Sequence, residues 1–308
     1  MRIFVSGATG VIGRRVVPQL LSDGHAVTAV VRSPVARERL ENVGASCVAV
    51  DLFDLDALKQ AVIDHDVIIN LATHMPSSTW KMVFRRAWQL NDRIRSEGVS
   101  NLVEAALAGG VTRFIQESFA LTYPDRGDRW IDEQTPLEPA AYNRTVLDAE
   151  AAAAQFARDG RAGVILRFAA FYGPNAMQVK SYIDGLRRGW ALLPGAPNSF
   201  ISSVAHDDAA AAVIAALQAG TGPYNVTDDE PVTRAVYFGS LAEALNLKPP
   251  RFLPTWTTPL FGSVGRLMSR SLRLSNHKLR VETGWSPRYP SVRDGWRPML
   301  EQMDRTSA

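Results

Sequence analysis

The chain opens with a short apolar run, Arg2-Ile3-Phe4-Val5. This gives way, across Ser6-Gly7-Ala8-Thr9-Gly10-Val11-Ile12-Gly13, to Val16, Val17, Leu20 and Leu21 at helical spacing. The change of period across a glycine-rich turn predicts a strand, a turn and a helix. The alternation continues: Ala26 to Val31, Cys47 to Val50 and Val67 to Leu71 read as three more buried strands. Helical stretches Val35–Leu40 and Asp54–Ile63 lie between them. A long helix is predicted from Trp88 to Leu107, with Leu102, Val103, Ala105 and Ala106 on its apolar side. Strand Arg113 to Gln116, an alanine-rich helix Ala141–Ala157 and strand Val164 to Arg167 follow. Apolar strands alternating with helices imply an α/β fold, a doubly wound parallel sheet of the Rossmann type covered on both faces. Ligands then gather at the C-terminal ends of the strands.

The pattern loosens after Gly173-Pro174, where Pro, Trp and Arg become more frequent. Asp207 to Leu217 reads as a helix again and Tyr224-Asn225-Val226 as a short strand. We therefore expect a dinucleotide-binding domain over residues 1–174 and 200–226, with a smaller substrate lobe over 175–199 and 227–308. The 308 residues, 46% hydrophobic and 21% charged, fit an ordinary globular protein. A net charge of +3, with basic residues scattered apart from Arg85-Arg86 and Arg187-Arg188, argues against nucleic acid. The one cysteine, Cys47, can form neither an internal disulfide nor a zinc site. The first apolar run ends at the glycine turn, and no apolar stretch is long enough to span a bilayer. The expectation is a cytoplasmic protein with a small-molecule substrate, no membrane and no nucleic acid.

The glycine turn supplies the first candidate chemistry. One glycine makes the turn, one lets the backbone approach a pyrophosphate, and one lets helix and strand pack closely. The helix N-terminus then meets the phosphates with free N–H groups. Gly7, Thr9, Gly10, Val11, Ile12 and Gly13 are thus predicted to hold a dinucleotide. Arg32, ending the second strand with no acid nearby, suits the 2′-phosphate of NADP(H), with NAD(H) as the alternative. Asp51 and Leu52 fall near the adenine, although Asp51 equally suits a cap for the helix beginning near Asp54. Leu71, Ala72 and Thr73 fall against the other half of the cofactor, and Tyr142 and Phe168 are further candidate cofactor-binding residues.

Together these residues resemble the short-chain dehydrogenase/reductase superfamily, in the extended branch that includes sugar epimerases and dehydratases. The resemblance also rests on Asn70-Leu71-Ala72, Arg167 with Tyr172-Gly173-Pro174, His206-Asp207-Asp208-Ala209, and Gly284-Trp285-Ser286-Pro287 near the end. It implies a Tyr-x-x-x-Lys pair after the fifth strand, whose tyrosine exchanges a proton with the substrate and whose lysine lowers the tyrosine pKa. Here Tyr142 is present, but Val146 stands in place of the lysine. The implied serine falls on Phe119, with Ser118 one residue earlier, and the implied helix asparagine on Arg95, with Asn91 one turn away. The chain thus resembles an atypical member of the branch.

Tyr142, Ser118 and Glu117 are the candidate catalytic residues. Glu117 is either an acid or base facing the nicotinamide end, or half of a salt bridge to Arg113 or Arg167. Tyr123 and His74 are weaker candidates, and Asp207-Asp208 suit the first turn of a helix better than a metal. The residues imply an NADP(H)-dependent oxidoreductase acting on a carbonyl or alcohol of a small organic substrate. The alternatives are a nicotinamide-retaining epimerase or dehydratase-type isomerase or lyase, and a non-catalytic NADP-binding regulator. The resemblance also allows a homodimer through the long helices.

Overall fold

The computed structural model describes residues 1–76, 84–140, 143–174 and 176–307. Five strands come first: β1 (Arg2–Ser6), β2 (Ala26–Val30), β3 (Ser46–Val48), β4 (Val67–Asn70) and β5 (Arg113–Phe119). The short β6 (Trp130–Ile131) stands outside their sheet, and β7 (Ala162–Phe168) rejoins it. Further short strands, β8 (Ala170–Tyr172), β9 (Trp190–Ala191), β10 (Phe200–Ile201) and β11 (Ser203–Ala205), precede the last sheet strand, β12 (Gly222–Val226). The seven-stranded sheet runs β12-β7-β5-β4-β1-β2-β3, all parallel. The order reverses beside β1, which opens a crevice at the strand ends next to the glycine turn.

Alternation along each strand divides the core. Ile3, Val5, Val67, Ile69 and Ile115 face helices α1 (Gly13–Ser22) and, from later in the chain, His206–Ala215. Phe4, Ile68 and Phe114 face the opposite way. The first helices in chain order are α1, α2 (Pro34–Asn42), α3 (Leu55–Ala61), α4 (Gln89–Arg93), α5 (Val99–Ala108) and α6 (Val146–Phe156). Leu58 of α3, Leu102 of α5 and Phe156 of α6 pack with Phe4, Ile68 and Phe114. A third core joins α7 (Met177–Arg187), α8 (His206–Ala215) through its leading Ala205, α9 (Arg234–Ala244) and the last helix around Trp296. Leu272, Leu274, Leu279 and Trp285 return to the α1 side of the sheet.

Several boundaries differ from those the sequence predicts. β5 runs on to Phe119, because parallel pairing with β7 continues through Glu117↔Leu166 and Ser118↔Arg167. The helix expected from Ala141 begins at Val146. The long helix is broken by a π-turn at Ile94–Gly98, which separates α4 from α5 and turns Ile94, Arg95 and Gly98 inward.

Candidate active site

The three glycines are distinguished by what surrounds them. Gly7 has φ +74°, and an added Cβ would lie 2.4 Å from the Leu71 carbonyl atoms and 2.6 Å from the Ala72 nitrogen. At Gly13 a Cβ would lie 2.2 Å from the Gly7 oxygen and 2.7 Å from the Ala8 Cα. Both positions therefore serve close backbone packing. At Gly10 the same atom meets only the Gly7 oxygen, at 3.2 Å, so its remaining side is open. Thr9 and Gly10 are exposed, and Ile12 is buried at the N-cap of α1. The Val11 carbonyl accepts from Arg15 Nη1 at 2.8 Å. An open glycine ahead of a helix N-terminus is the surface a pyrophosphate requires, so the residues present fit the dinucleotide.

Farther along the crevice, Arg32 is exposed and forms no ion pair among the described residues. Ser33 occupies the N-cap of α2 without its side chain capping that helix. Asp51 Oδ1 accepts from the Phe53 N–H at 3.0 Å, while Asp54 caps α3 through the Ala57 N–H. The cap considered for Asp51 is therefore supplied by Asp54. Leu52 is half-buried and would lie 3.4 Å from a Cβ added at Gly98. Leu71 is buried and donates its N–H to the Ser6 carbonyl at 3.0 Å, Ala72 is half-buried, and Thr73 and His74 are exposed. Phe168 is buried in the core, stacked at an angle on Phe171.

Beneath this crevice lies a polar row that the sequence reading missed. Ser6, Asn70 and Gln116 are paired neighbours on β1, β4 and β5. Ser6 Oγ donates to Asn70 Oδ1 at 2.5 Å, Asn70 Nδ2 to Gln116 Oε1 at 2.8 Å, and Gln116 Nε2 to the Glu117 carbonyl at 2.7 Å. Asn70 Oδ1 also accepts from the Ala72 N–H at 3.2 Å. The row ties three adjacent strands together and leaves each buried amide satisfied. Its trace in the sequence is that three apolar strands each carry an uncharged polar residue, Ser6, Asn70 and Gln116.

Glu117 does form a salt bridge, part-buried, but its partner is neither Arg113 nor Arg167. Arg95 Nη2 lies 2.9 Å from Glu117 Oε1, and Glu117 Oε2 is buried without a hydrogen-bond partner. Arg113 instead donates to the carbonyls of Ala216 and Ala219. Arg167 grips both Glu150 oxygens, at 2.9 and 2.7 Å, and donates to Tyr123 Oη at 2.7 Å. Ser118 Oγ donates to Glu150 Oε1 at 2.5 Å. Tyr123 also donates to Asn225 Oδ1, and burial pushes its phenol up to about 12. Ser118 and Tyr123 are thus committed to a network joining β5, α6, β7 and β12. Asn91 is buried and accepts from the His74 N–H at 2.9 Å. Tyr142 lies outside the described residues. Val146, in the lysine position, is 1% exposed.

The His206-Asp207-Asp208 motif opens α8 and carries ties of its own. Asp207 pairs with Arg15 at 2.6 Å, beside the glycine turn. Asp208 accepts the N–H groups of Arg288 and Tyr289, and its carbonyl accepts from Trp285 Nε1. Among the described residues, no group of His, Cys, Asp or Glu could hold a metal ion, and no helix is long and apolar enough to cross a membrane. Beyond the ends of β5 and β7 lies a cavity whose lining includes Ala120, Ala169, Tyr182, Leu193, Arg234 and Tyr237.

A switch-point crevice, an open glycine turn and a row of satisfied amides beneath it define an NAD(P)-binding protein. The family model for NAD(P)H-binding proteins matches residues 7–220, and the chain belongs to that family. It is 33% identical, over 96% of its length and 99% of the relative's, to a 3-diazoavenalumate denitrifying reductase from a Streptomyces species. It is 25% identical, over 89% of its length and 73% of the relative's, to a 2-alkyl-3-oxoalkanoate reductase from Shewanella oneidensis. The fold matches a UDP-glucose 4-epimerase from Thermotoga maritima with TM-score 0.80 and 22% identity over the whole of both chains.

Proposed function

We propose that the chain is an NADP(H)-dependent reductase whose acceptor carbon needs hydride more than it needs an assisted proton. One observation carries the reading: an intact dinucleotide cradle adjoins a dismantled proton relay. Val146 is buried in the lysine position, and the Ser118 hydroxyl is spent on Glu150. Bound in the cradle, the dinucleotide supplies the hydride. Gly10 and the α1 N-terminus hold its pyrophosphate, while Arg32 and the uncommitted Ser33 hydroxyl hold the 2′-phosphate. Residues 1–174 and 200–226 serve the cofactor, and residues 175–199 and 227–308 close over the substrate.

A carbon bearing a diazonium group meets the chemical requirement. Hydride replaces the group, the C–N bond breaks with its electron pair leaving on dinitrogen, and no proton is taken up. The full-length likeness to a denitrifying reductase supports this acceptor. A carbonyl is the second reading, favoured by the retained Tyr142, which without its lysine would act as a neutral donor near the ordinary phenol pKa of ~10. Epimerases and dehydratases rank lower, because they need the relay to take and return a proton. The test is NADPH consumption above the protein-free rate with an arenediazonium carboxylate and with aryl ketones, in wild type and Tyr142→Phe. Turnover of the diazonium compound that survives Tyr142→Phe supports the first reading. Ketone turnover lost in Tyr142→Phe replaces it with the second, and no turnover with NADPH bound refutes both.

A further inference from the structure

The cavity beyond β5 and β7 has an unusual cation in its wall. Arg234, the first residue of α9, is 2% exposed and forms no ion pair among the described residues. Its Nε donates to Ser199 Oγ at 2.7 Å, and its Nη2 donates to the carbonyls of Met268 and Arg270 at 2.5 and 3.1 Å. Its Nη1 is buried with no partner. Burial lowers the guanidinium to about 10. Asp125, whose charge reaches it, is itself engaged by the N–H groups of Gly127 and Ser271. The chain is shaped around this group: Gly195 has φ +127°, and a Cβ there would lie 2.5 Å from Arg234 Nε. A buried charge left without a counter-charge costs several kcal/mol, so a site that keeps one is built to receive an anion.

The rest of the wall sets the anion's class. Leu193, Phe200, Leu272 and Leu274 are apolar, and the rings of Tyr182 and Tyr237 flank them. The second cation, Arg270, is already bound to Glu138 at 2.8 Å. We propose that the cavity takes a small organic acid, its apolar body against these side chains and its carboxylate on Arg234 Nη1. The opposite end of such an acid reaches toward Ala120 and Ala169, where β5 and β7 end. This rests on the reductase reading, for which it names the substrate class. Arg234 binds and orients the substrate and takes no part in the chemistry.

The test is calorimetric titration of the NADP⁺-loaded protein with trans-cinnamate and with cinnamamide, which differ in charge but hardly in shape. Wild type should bind cinnamate at least ~10-fold more tightly, a difference of ~1.4 kcal/mol. Arg234→Gln should remove the preference and Arg234→Lys should restore part of it. Should Arg234→Gln fail to fold, the wild-type comparison stands alone, and Leu193→Trp, which fills the cavity, should weaken both probes. Equal binding of the two probes, no binding of cinnamate at millimolar concentration, or an unchanged preference in folded Arg234→Gln would each overturn the proposal. NADPH binding is read separately by nicotinamide fluorescence. Its absence would remove the reductase reading, while carboxylate selectivity is still measured on the cofactor-free protein.

Discussion

Gly10→Val and Gly13→Ala should fail in opposite ways. At Gly10 the only neighbour of an added Cβ is the Gly7 oxygen at 3.2 Å, and the position lacks a positive φ. A side chain there stands in the space left for phosphate and burdens the fold little, so stability should stay within ~0.5 kcal/mol of wild type. Binding should suffer, because a displaced pyrophosphate loses backbone N–H contacts worth ~1.5–3 kcal/mol each. Losing two amounts to ~3–6 kcal/mol, or ~10²–10⁴ in the Kd for NADPH. At Gly13 the methyl group would sit 2.2, 2.7 and 2.8 Å from backbone atoms of Gly7 and Ala8, none of which is the tip of a flexible side chain. Overpacking against such neighbours costs ~1–3 kcal/mol or more, enough to lower the melting temperature of a chain this size by several degrees. Fluorescence titration with NADPH and thermal unfolding of both variants would check this. Folded Gly10→Val that binds NADPH normally, or Gly13→Ala as stable as wild type, would refute the division of labour among the glycines.

Three further outcomes are expected. Arg32→Ala should weaken NADPH more than NADH, and equal affinity of wild type for both would remove the 2′-phosphate argument. Arg167→Met should destabilise the chain by ~3–5 kcal/mol in urea unfolding, because it strands Glu150, whose side chain is 9% exposed. Replacing Glu150 by Leu as well should recover most of that loss, and a near-silent single variant would contradict it. His206 is buried, and its pKa is lowered from 6.5 to about 4, first by desolvation and then by the charges of Arg15 and Arg14. The unfolded chain therefore takes up this proton first. The contribution is complete above pH 6.5 and drains away as pH falls toward 4, by ~3 kcal/mol in all. His206→Gln should flatten that part of the stability profile, and an unchanged acid limb would count against it.

The parallel sheet was legible because each of its strands is a short apolar run between turn or helix signals. The glycine turn was legible because strand, triplet and helix coincide. The polar details near the site were harder to see. Gln116 looked like a strand end, whereas β5 extends past it, since pairing with β7 holds Glu117 and Ser118 in the ladder although neither is apolar. The partner of Glu117 was missed for a related reason. Arg95 reaches it from the π-turn at Ile94–Gly98, 22 residues earlier in the chain, and no local spacing in the sequence links the two positions. Arg234 gave no signal at all, since an arginine after a Thr reads as a helix start until Ser199, Met268 and Arg270 are seen around it.

Helix α8 has one acid tied to Arg15 near the start of the chain and the next tied to Arg288 and Tyr289 near its end. A ribosome releases these segments almost the whole length of the chain apart. A fragment ending at Val226 would carry all seven strands of the sheet, yet its α1 face would lack Leu272, Leu274, Leu279 and Trp285. During synthesis the core behind the glycine turn waits for Leu272, Leu274, Leu279 and Trp285 before it is sealed, and dissecting the chain at Val226 would expose an apolar face.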